Sequence, residues 1–166
     1  RKMSNSSNNI VLSGKYELLE MTAEGGMSYI YRARCVKTGN IVAAKILKPE
    51  YIGNKLYQEA FKKEAFHSMR LKHNNIVRTL DIGSDGSYRY MIMEYVDGIP
   101  LSDLIGGDRT ISLKTSVSIA IKICEGLEYA HHKGIIHKDL KPSNHDKTRH
   151  GTGDHGFWHC GRYYKG

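Results

Sequence analysis

Asp139, Lys141 and Asn144 share one short stretch, His137-Lys138-Asp139-Leu140-Lys141-Pro142-Ser143-Asn144. A carboxylate there can orient or take up the proton of an attacking hydroxyl, and an ammonium group two residues on can neutralise charge on a transferring phosphoryl group. A carboxamide five residues after the Asp can hold a metal ion. Together these groups suit phosphoryl transfer from ATP, and Pro142 stiffens the turn that carries them.

Further groups upstream fit the same chemistry, although each alone has an ordinary explanation. Ala23-Glu24-Gly25-Gly26-Met27-Ser28 lies between two apolar runs. Small residues in such a turn let backbone N–H groups approach phosphate oxygens, and the same residues also make a plain turn. Val42-Ala43-Ala44-Lys45 ends a run with an ammonium group that either holds phosphates or is merely solvated. Glu64 is a candidate carboxylate partner for that lysine or an ordinary surface glutamate beside Lys62 and Lys63. Met91 to Gly98 runs from an apolar strand into a connection whose backbone can meet an adenine edge, or it is simply an edge of the core.

The elements that must position these groups follow from periodicity. Five runs read as strands: Tyr16 to Met21, Tyr29 to Cys35, Ile41 to Leu47, Ile76 to Ile82 and Tyr88 to Glu94. Lys37-Thr38-Gly39-Asn40 and Ser84-Asp85-Gly86-Ser87 have the composition of hairpin turns. Leu56 to Leu71 is rich in helix formers and free of Gly and Pro, which predicts one helix interrupting the sheet. Val117, Ala120, Ile121, Cys124, Leu127 and Ala130 recur at helical spacing behind Ser112, predicting a second helix from Leu113 to His132. The expected class is α+β, with a flexible lead over 1–12 and no internal repeat.

Composition narrows the function. At 166 residues and 40% hydrophobic content the chain suits one domain of ordinary size. The net charge of +8 raises nucleic-acid binding as a class, but the cations are scattered among acidic residues with no long basic run, so no nucleic-acid partner is expected. No apolar stretch reaches the ~20 residues of a membrane span. Cys35, Cys124 and Cys160 show no disulfide or zinc spacing, and the expected setting is cytoplasmic.

Taken together, the stretch Tyr16 to Asn144 resembles the first part of a eukaryotic-like serine/threonine protein kinase domain of the bacterial type. The resemblance rests on Glu24-Gly25-Gly26-Met27, Val42-Ala43-Ala44-Lys45, Glu64-Ala65, His73-Asn74-Asn75-Ile76-Val77, Met93-Glu94-Tyr95-Val96, Tyr129-Ala130-His131 and His137 to Asn144, all in the family's order. It implies a protein kinase-like fold: a five-stranded antiparallel N-lobe with one helix over about 13–95, then the first helices and catalytic loop of a helical C-lobe over about 98–144. It also implies ATP and Mg²⁺ as cofactors and a protein Ser or Thr hydroxyl as acceptor. Thr22, Ala23, Glu24, Gly25, Gly26, Met27, Ser28 and Ile30 would cover ATP, and Ala43 would pack on adenine. Lys45, paired with Glu64, would hold phosphates. Glu94 and Val96 would offer backbone groups behind a Met93 gatekeeper. Asp139 would orient the hydroxyl, Lys141 would contact the γ-phosphate and Asn144 would bind Mg²⁺. Similar bacterial kinases often carry a membrane anchor, so the parent protein is a candidate for one.

Departures accompany the match. Ala23 and Ser28 stand where the family's phosphate loop has its first and third glycines, and Lys138 replaces the usual Arg. After Asn144 the family needs a strand pair and an Asp-Phe-Gly whose Asp holds a metal. The segment 145–166 has no strand period and no Asp-Phe-Gly, and it holds His145, His150, His155, His159 and Cys160. It reads as a metal site without a known template, as an aberrant disordered tail, or as the product of a frameshift. Read one base along, Trp158-His159 (TGG CAY) must encode Gly, and the codons around it permit Asp-Phe-Gly-Ile-Ala. The chain is expected to be part of a serine/threonine kinase domain, truncated or frameshifted after its catalytic loop. A non-catalytic pseudokinase fragment that binds nucleotide weakly or docks to a partner is the alternative.

Overall fold

The computed structural model describes residues 10–105, 110–137, 140–141, 145–148 and 158–160. They fall into two compact units, one of residues 1–58 and 82–95 and one of residues 59–81 and 96–166.

The first unit is built on a six-stranded antiparallel sheet whose last strand begins in the second unit. The strands are β1 (Val11–Leu12), β2 (Tyr16–Glu24), β3 (Ser28–Cys35), β4 (Ile41–Leu47), β5 (Thr79–Asp85) and β6 (Tyr88–Glu94), in the order β1-β2-β3-β4-β6-β5. Five match the predicted runs, with β5 starting later than expected. The sixth, β1, corrects the lead predicted over 1–12: Val11 pairs with Glu17 and Leu12 with Tyr16, and Leu12 is fully buried. Two residues are too few to show a period, which is why the sequence hid it. The hairpin expected at 37–40 forms, with the Cys35 N–H donating to the Asn40 carbonyl at 2.8 Å.

Alternation gives the sheet two distinct faces. Leu18, Ala33, Val42, Ala44, Ile46, Tyr90 and Ile92 join Leu12 in the core, with Tyr16, Tyr31 and Tyr88 packed against it. Tyr16 meets Tyr90 edge-on at 6.3 Å, and the Tyr90 hydroxyl donates to Ser13 Oγ at 2.8 Å. The Ser13 N–H in turn donates to Asp85 Oδ2 at 2.6 Å, so the β1–β2 turn is tied to the end of β5. A Cβ on Gly83 would run into the Tyr90 ring, so only glycine fits beside that tyrosine. A one-turn helix, α1 (Pro49–Ile52), follows β4 and was not expected. Its Pro49 stands at the first helical turn, where the missing N–H costs nothing.

Helix α2 (Lys55–Met69) crosses from the first unit into the second, burying Phe61, Glu64 and Ala65. Within the second unit, β7 (Gly98–Pro100) and one-turn α3 (Leu101–Leu104) precede α4 (Leu113–His132). Helix α4 has the predicted limits, and the Ser112 Oγ caps it by accepting the Thr115 N–H at 3.1 Å. Leu101 and Ile119 form one small cluster, and Leu71, Ile76, Ala130 and Ile135 form another. The segment expected to be disordered after 144 contributes two strands, β8 (His145–Thr148) and β9 (Trp158–Cys160). They join β7 in an antiparallel sheet ordered β7-β8-β9. Strands of four and three residues are again too short to declare themselves by alternation. No described helix is long and apolar enough to cross a membrane.

Candidate nucleotide and phosphoryl-transfer site

In the first unit, strand register sets the candidate nucleotide-binding residues in rows on the sheet face opposite the aliphatic core. Ala23 pairs with Ile30, Ile30 with Lys45, and Lys45 with Met91; in the next row Arg32 pairs with Ala43 and Ala43 with Met93. Residues paired across antiparallel strands point to the same side. Ala23, Ile30, Ala43, Lys45 and Met93, five residues named from sequence, therefore share one face. Lys45 is only 8% exposed, which is unusual for a lysine. Ala43, also buried, leaves that face flat next to it.

The loop joining β2 to β3 is a closed hairpin tip. Gly25 donates its N–H to the Ser28 carbonyl at 2.8 Å, closing the turn, and the Thr22 hydroxyl donates to the Ile30 carbonyl at 3.2 Å. Ser28, the residue in place of a third glycine, is buried and pairs with Leu47. Gly26 has open space where a Cβ would stand. Met27 accepts a backbone hydrogen bond from the Lys48 N–H at 3.0 Å. Glu24 accepts from Lys48 Nζ, a partner that the sequence did not single out.

Glu94 ends β6 and pairs with Val42, while Val96 lies in the second unit. That unit also holds Glu64, buried on α2 at 7% exposure, and Lys141, which is exposed. Asp139 and Asn144 lie outside the described residues, as do Lys138, Pro142 and Ser143.

The approach to Asp139 is built by the end of α4. Gly134, at φ +72°, adopts the left-handed conformation that glycine tolerates best, and its N–H donates to the His131 carbonyl at 2.8 Å. The Ile135 N–H donates to the Ala130 carbonyl at 2.9 Å, which completes a Schellman cap, and the Ile135 and Ala130 side chains join one cluster. Ile135 and His137 are both buried, so the chain is pinned immediately before Lys138 and Asp139.

The motif His73-Asn74-Asn75-Ile76-Val77 acquires a position as well. His73 stacks on Tyr129 with ring centroids 5.2 Å apart, and the Lys72 N–H donates to the Tyr129 hydroxyl at 3.3 Å. The turn before β5 is thereby fastened to the last part of α4. The motif has no visible role in the sequence because its partners lie fifty or more residues away, as the separation of 50 between Asn75 and Glu125 illustrates.

Two thiol and amine groups are shifted from their ordinary ranges. The Thr38 hydroxyl and backbone hold the Cys35 thiol pKa down, and the hydrogen bond with Glu24 raises that of Lys48. In the tail, the register sets His145 opposite Cys160 and Asp146 opposite His159. No metal-binding cluster occurs among the described residues.

The fold is that of a protein kinase: the kinase domain of Mycobacterium tuberculosis PknI superposes with a TM-score of 0.73 at 22% identity, over 92% of this chain and 60% of that one. The family model for the protein kinase domain matches residues 16–145, and the chain belongs to that family. A probable serine/threonine-protein kinase of Clostridium perfringens is 43% identical over 142 residues, covering 86% of this chain and 21% of the relative. The serine/threonine-protein kinase PknB of Mycolicibacterium smegmatis is 36% identical over 137 residues, covering 80% and 22%. The chain thus spans about a fifth of the length of the curated relatives it matches.

ATP fits the donor set on the sheet face: a buried ammonium group, small residues beside it and a hairpin tip rich in backbone N–H groups. Mg²⁺ does not fit equally well. Of the family's two protein ligands the chain offers Asn144, and no Asp-Phe-Gly follows it.

Proposed function

We propose that this chain holds ATP on the Lys45 face of its sheet and carries the catalytic loop of a serine/threonine protein kinase. The observation that carries this reading is the row Ala23–Ile30–Lys45, with Ala43 in the next row on the same face and a glycine-containing hairpin tip joining β2 to β3. The Lys45 ammonium group on that face is of the chemistry that binds phosphate oxygens through charge-assisted hydrogen bonds. The resemblance to the family gives Glu64 the part of the carboxylate partner of Lys45. Ala43 packs on adenine, Ile30 helps to cover ATP, and the backbone of Glu94 and Val96 receives the adenine edge behind Met93. Thr22 to Ser28 cover the phosphates.

In the transfer step the bond between the γ-phosphorus and the bridging oxygen of ADP breaks. A new bond forms to the Ser or Thr oxygen of a protein substrate, and the hydroxyl proton passes to Asp139. Lys141 offsets charge on the moving phosphoryl group. Asn144 would hold Mg²⁺, which would neutralise phosphate charge when bound.

The second reading, a non-catalytic nucleotide-binding fragment, is favoured by the departure of residues 145–166 from the family's pattern, since that stretch contains no Asp-Phe-Gly. A phosphotransfer assay with a generic Ser/Thr protein substrate beside Asp139→Ala separates the two. Transfer that vanishes in the variant supports the kinase, and transfer that persists comes from a contaminant. ATP binding with no transfer by the wild type supports the second reading, and absence of both overturns the proposal.

A further inference from the structure

The face of the hairpin tip turned away from Lys45 carries an ion pair. Glu24 pairs with Tyr29 and Tyr29 with Ile46, one position out of step with Ala23, Ile30 and Lys45, so this second row lies on the opposite side of the sheet. Lys48 follows β4 and reaches back to this row. Its Nζ lies 2.5 Å from Glu24 Oε1 and 5.1 Å from the centroid of the Tyr29 ring. Long lysine side chains normally carry their charge out to water, yet this one is 10% exposed. Ammonium, carboxylate and aromatic face form a compact clamp.

The backbone of Lys48 is held as firmly as its side chain. Its N–H donates to the Met27 carbonyl at 3.0 Å, at the far side of the same tip. Pro49 follows, and a residue before proline is driven to extended geometry, as the Lys48 angles of φ −63° and ψ 144° reflect. Lys48 therefore grips the tip twice, at Met27 through its backbone and at Glu24 through its side chain. Between those grips lie Gly25 and Gly26, the residues with the most backbone freedom to lose.

We propose that Lys48 is a positioning residue for the phosphate loop, clamping it through Glu24 and Tyr29 from the side opposite the nucleotide. The inference rests on the reading that ATP binds on the Lys45 face. Lys48 touches no phosphate in it; by limiting the loop's freedom beforehand it lowers the ordering cost of phosphate binding.

Two measurements on the full chain test it. The first needs no nucleotide: hydrogen exchange at the amides of Gly25 and Lys48 should quicken several-fold in Glu24→Gln, while amides in the middle of β3 and β4 keep their wild-type rates. Unchanged exchange at the tip overturns the clamp. The second compares ATP with adenosine, which lacks phosphates. Lys48→Met should weaken ATP about five-fold and leave adenosine unchanged, and Lys48→Arg should restore ATP affinity. Equal losses for both ligands mean a merely structural lysine and overturn the proposal, as does wild-type affinity for ATP in Lys48→Met. A wild type that binds neither ligand overturns the nucleotide reading and the positioning role with it, whereas quickened exchange in Glu24→Gln would still establish the clamp itself.

Discussion

Asn75 donates a hydrogen bond from Nδ2 to Oε2 of Glu125 at 2.9 Å, tying the turn before β5 to the middle of α4. The carboxamide belongs to a buried residue, and the bond spans fifty positions of sequence. With the His73–Tyr129 stack it fastens that turn to α4, the helix that ends just before His137.

Asn75→Ala should therefore destabilise the second unit by about 1.5 kcal/mol, the low end for a bond to a charged group because Glu125 is exposed. Denaturant unfolding of Asn75→Ala, Glu125→Ala and the double variant gives the coupling directly. A cycle that closes at zero would show that the pair contributes nothing.

Gly134→Ala places a Cβ at φ +72° and should cost about 1–2 kcal/mol, with Gly134→Asn intermediate because Asn tolerates this region better. The readout is thermal unfolding. If the cap positions Asp139, phosphotransfer should fall further than the loss of folded protein explains.

Gly83→Ala should cost about 1–3 kcal/mol, because the new methyl group meets the Tyr90 ring and the packed sheet must move to admit it. In a Tyr90→Leu background the same substitution should cost less. Equal penalties in both backgrounds would mean that the tyrosine is not the obstacle.

Cys35 should be alkylated by iodoacetamide with a half-maximal rate below pH 9.0, because the Thr38 hydroxyl stabilises its thiolate; Thr38→Val should move the midpoint up. The sign for stability follows. A depressed thiol pKa favours the folded state above pH 9.0, and this contribution is lost as pH falls through the folded-state value. Mass spectrometry of the Cys35 peptide across a pH series checks the alkylation midpoint.

Much of this was legible in the sequence where a signal is local. The limits of α4 followed from its apolar spacing and Ser112, and four of the five predicted strands start within a residue of their structural positions. Three kinds of feature escaped. Strands β1, β8 and β9 are shorter than one alternation can reveal. The bonds of Asn75 and Tyr129 depend on partners distant in sequence. Lys48 is not singled out by any motif, although Pro49 after it, at the end of an apolar strand, signals a backbone held extended. The rows on the Lys45 face could be anticipated because period-two alternation fixes which residues share a side, but pairing them required the register.

The central claim is that the Lys45 face binds ATP, and isothermal titration of ATP into the wild type and Lys45→Met tests it most directly. The ammonium group supplies a charge-assisted bond to phosphate that methionine cannot, so the variant should bind at least about ten-fold more weakly while adenosine affinity is kept. Equal ATP affinity in the two proteins, or no ATP binding by the wild type, would contradict the account.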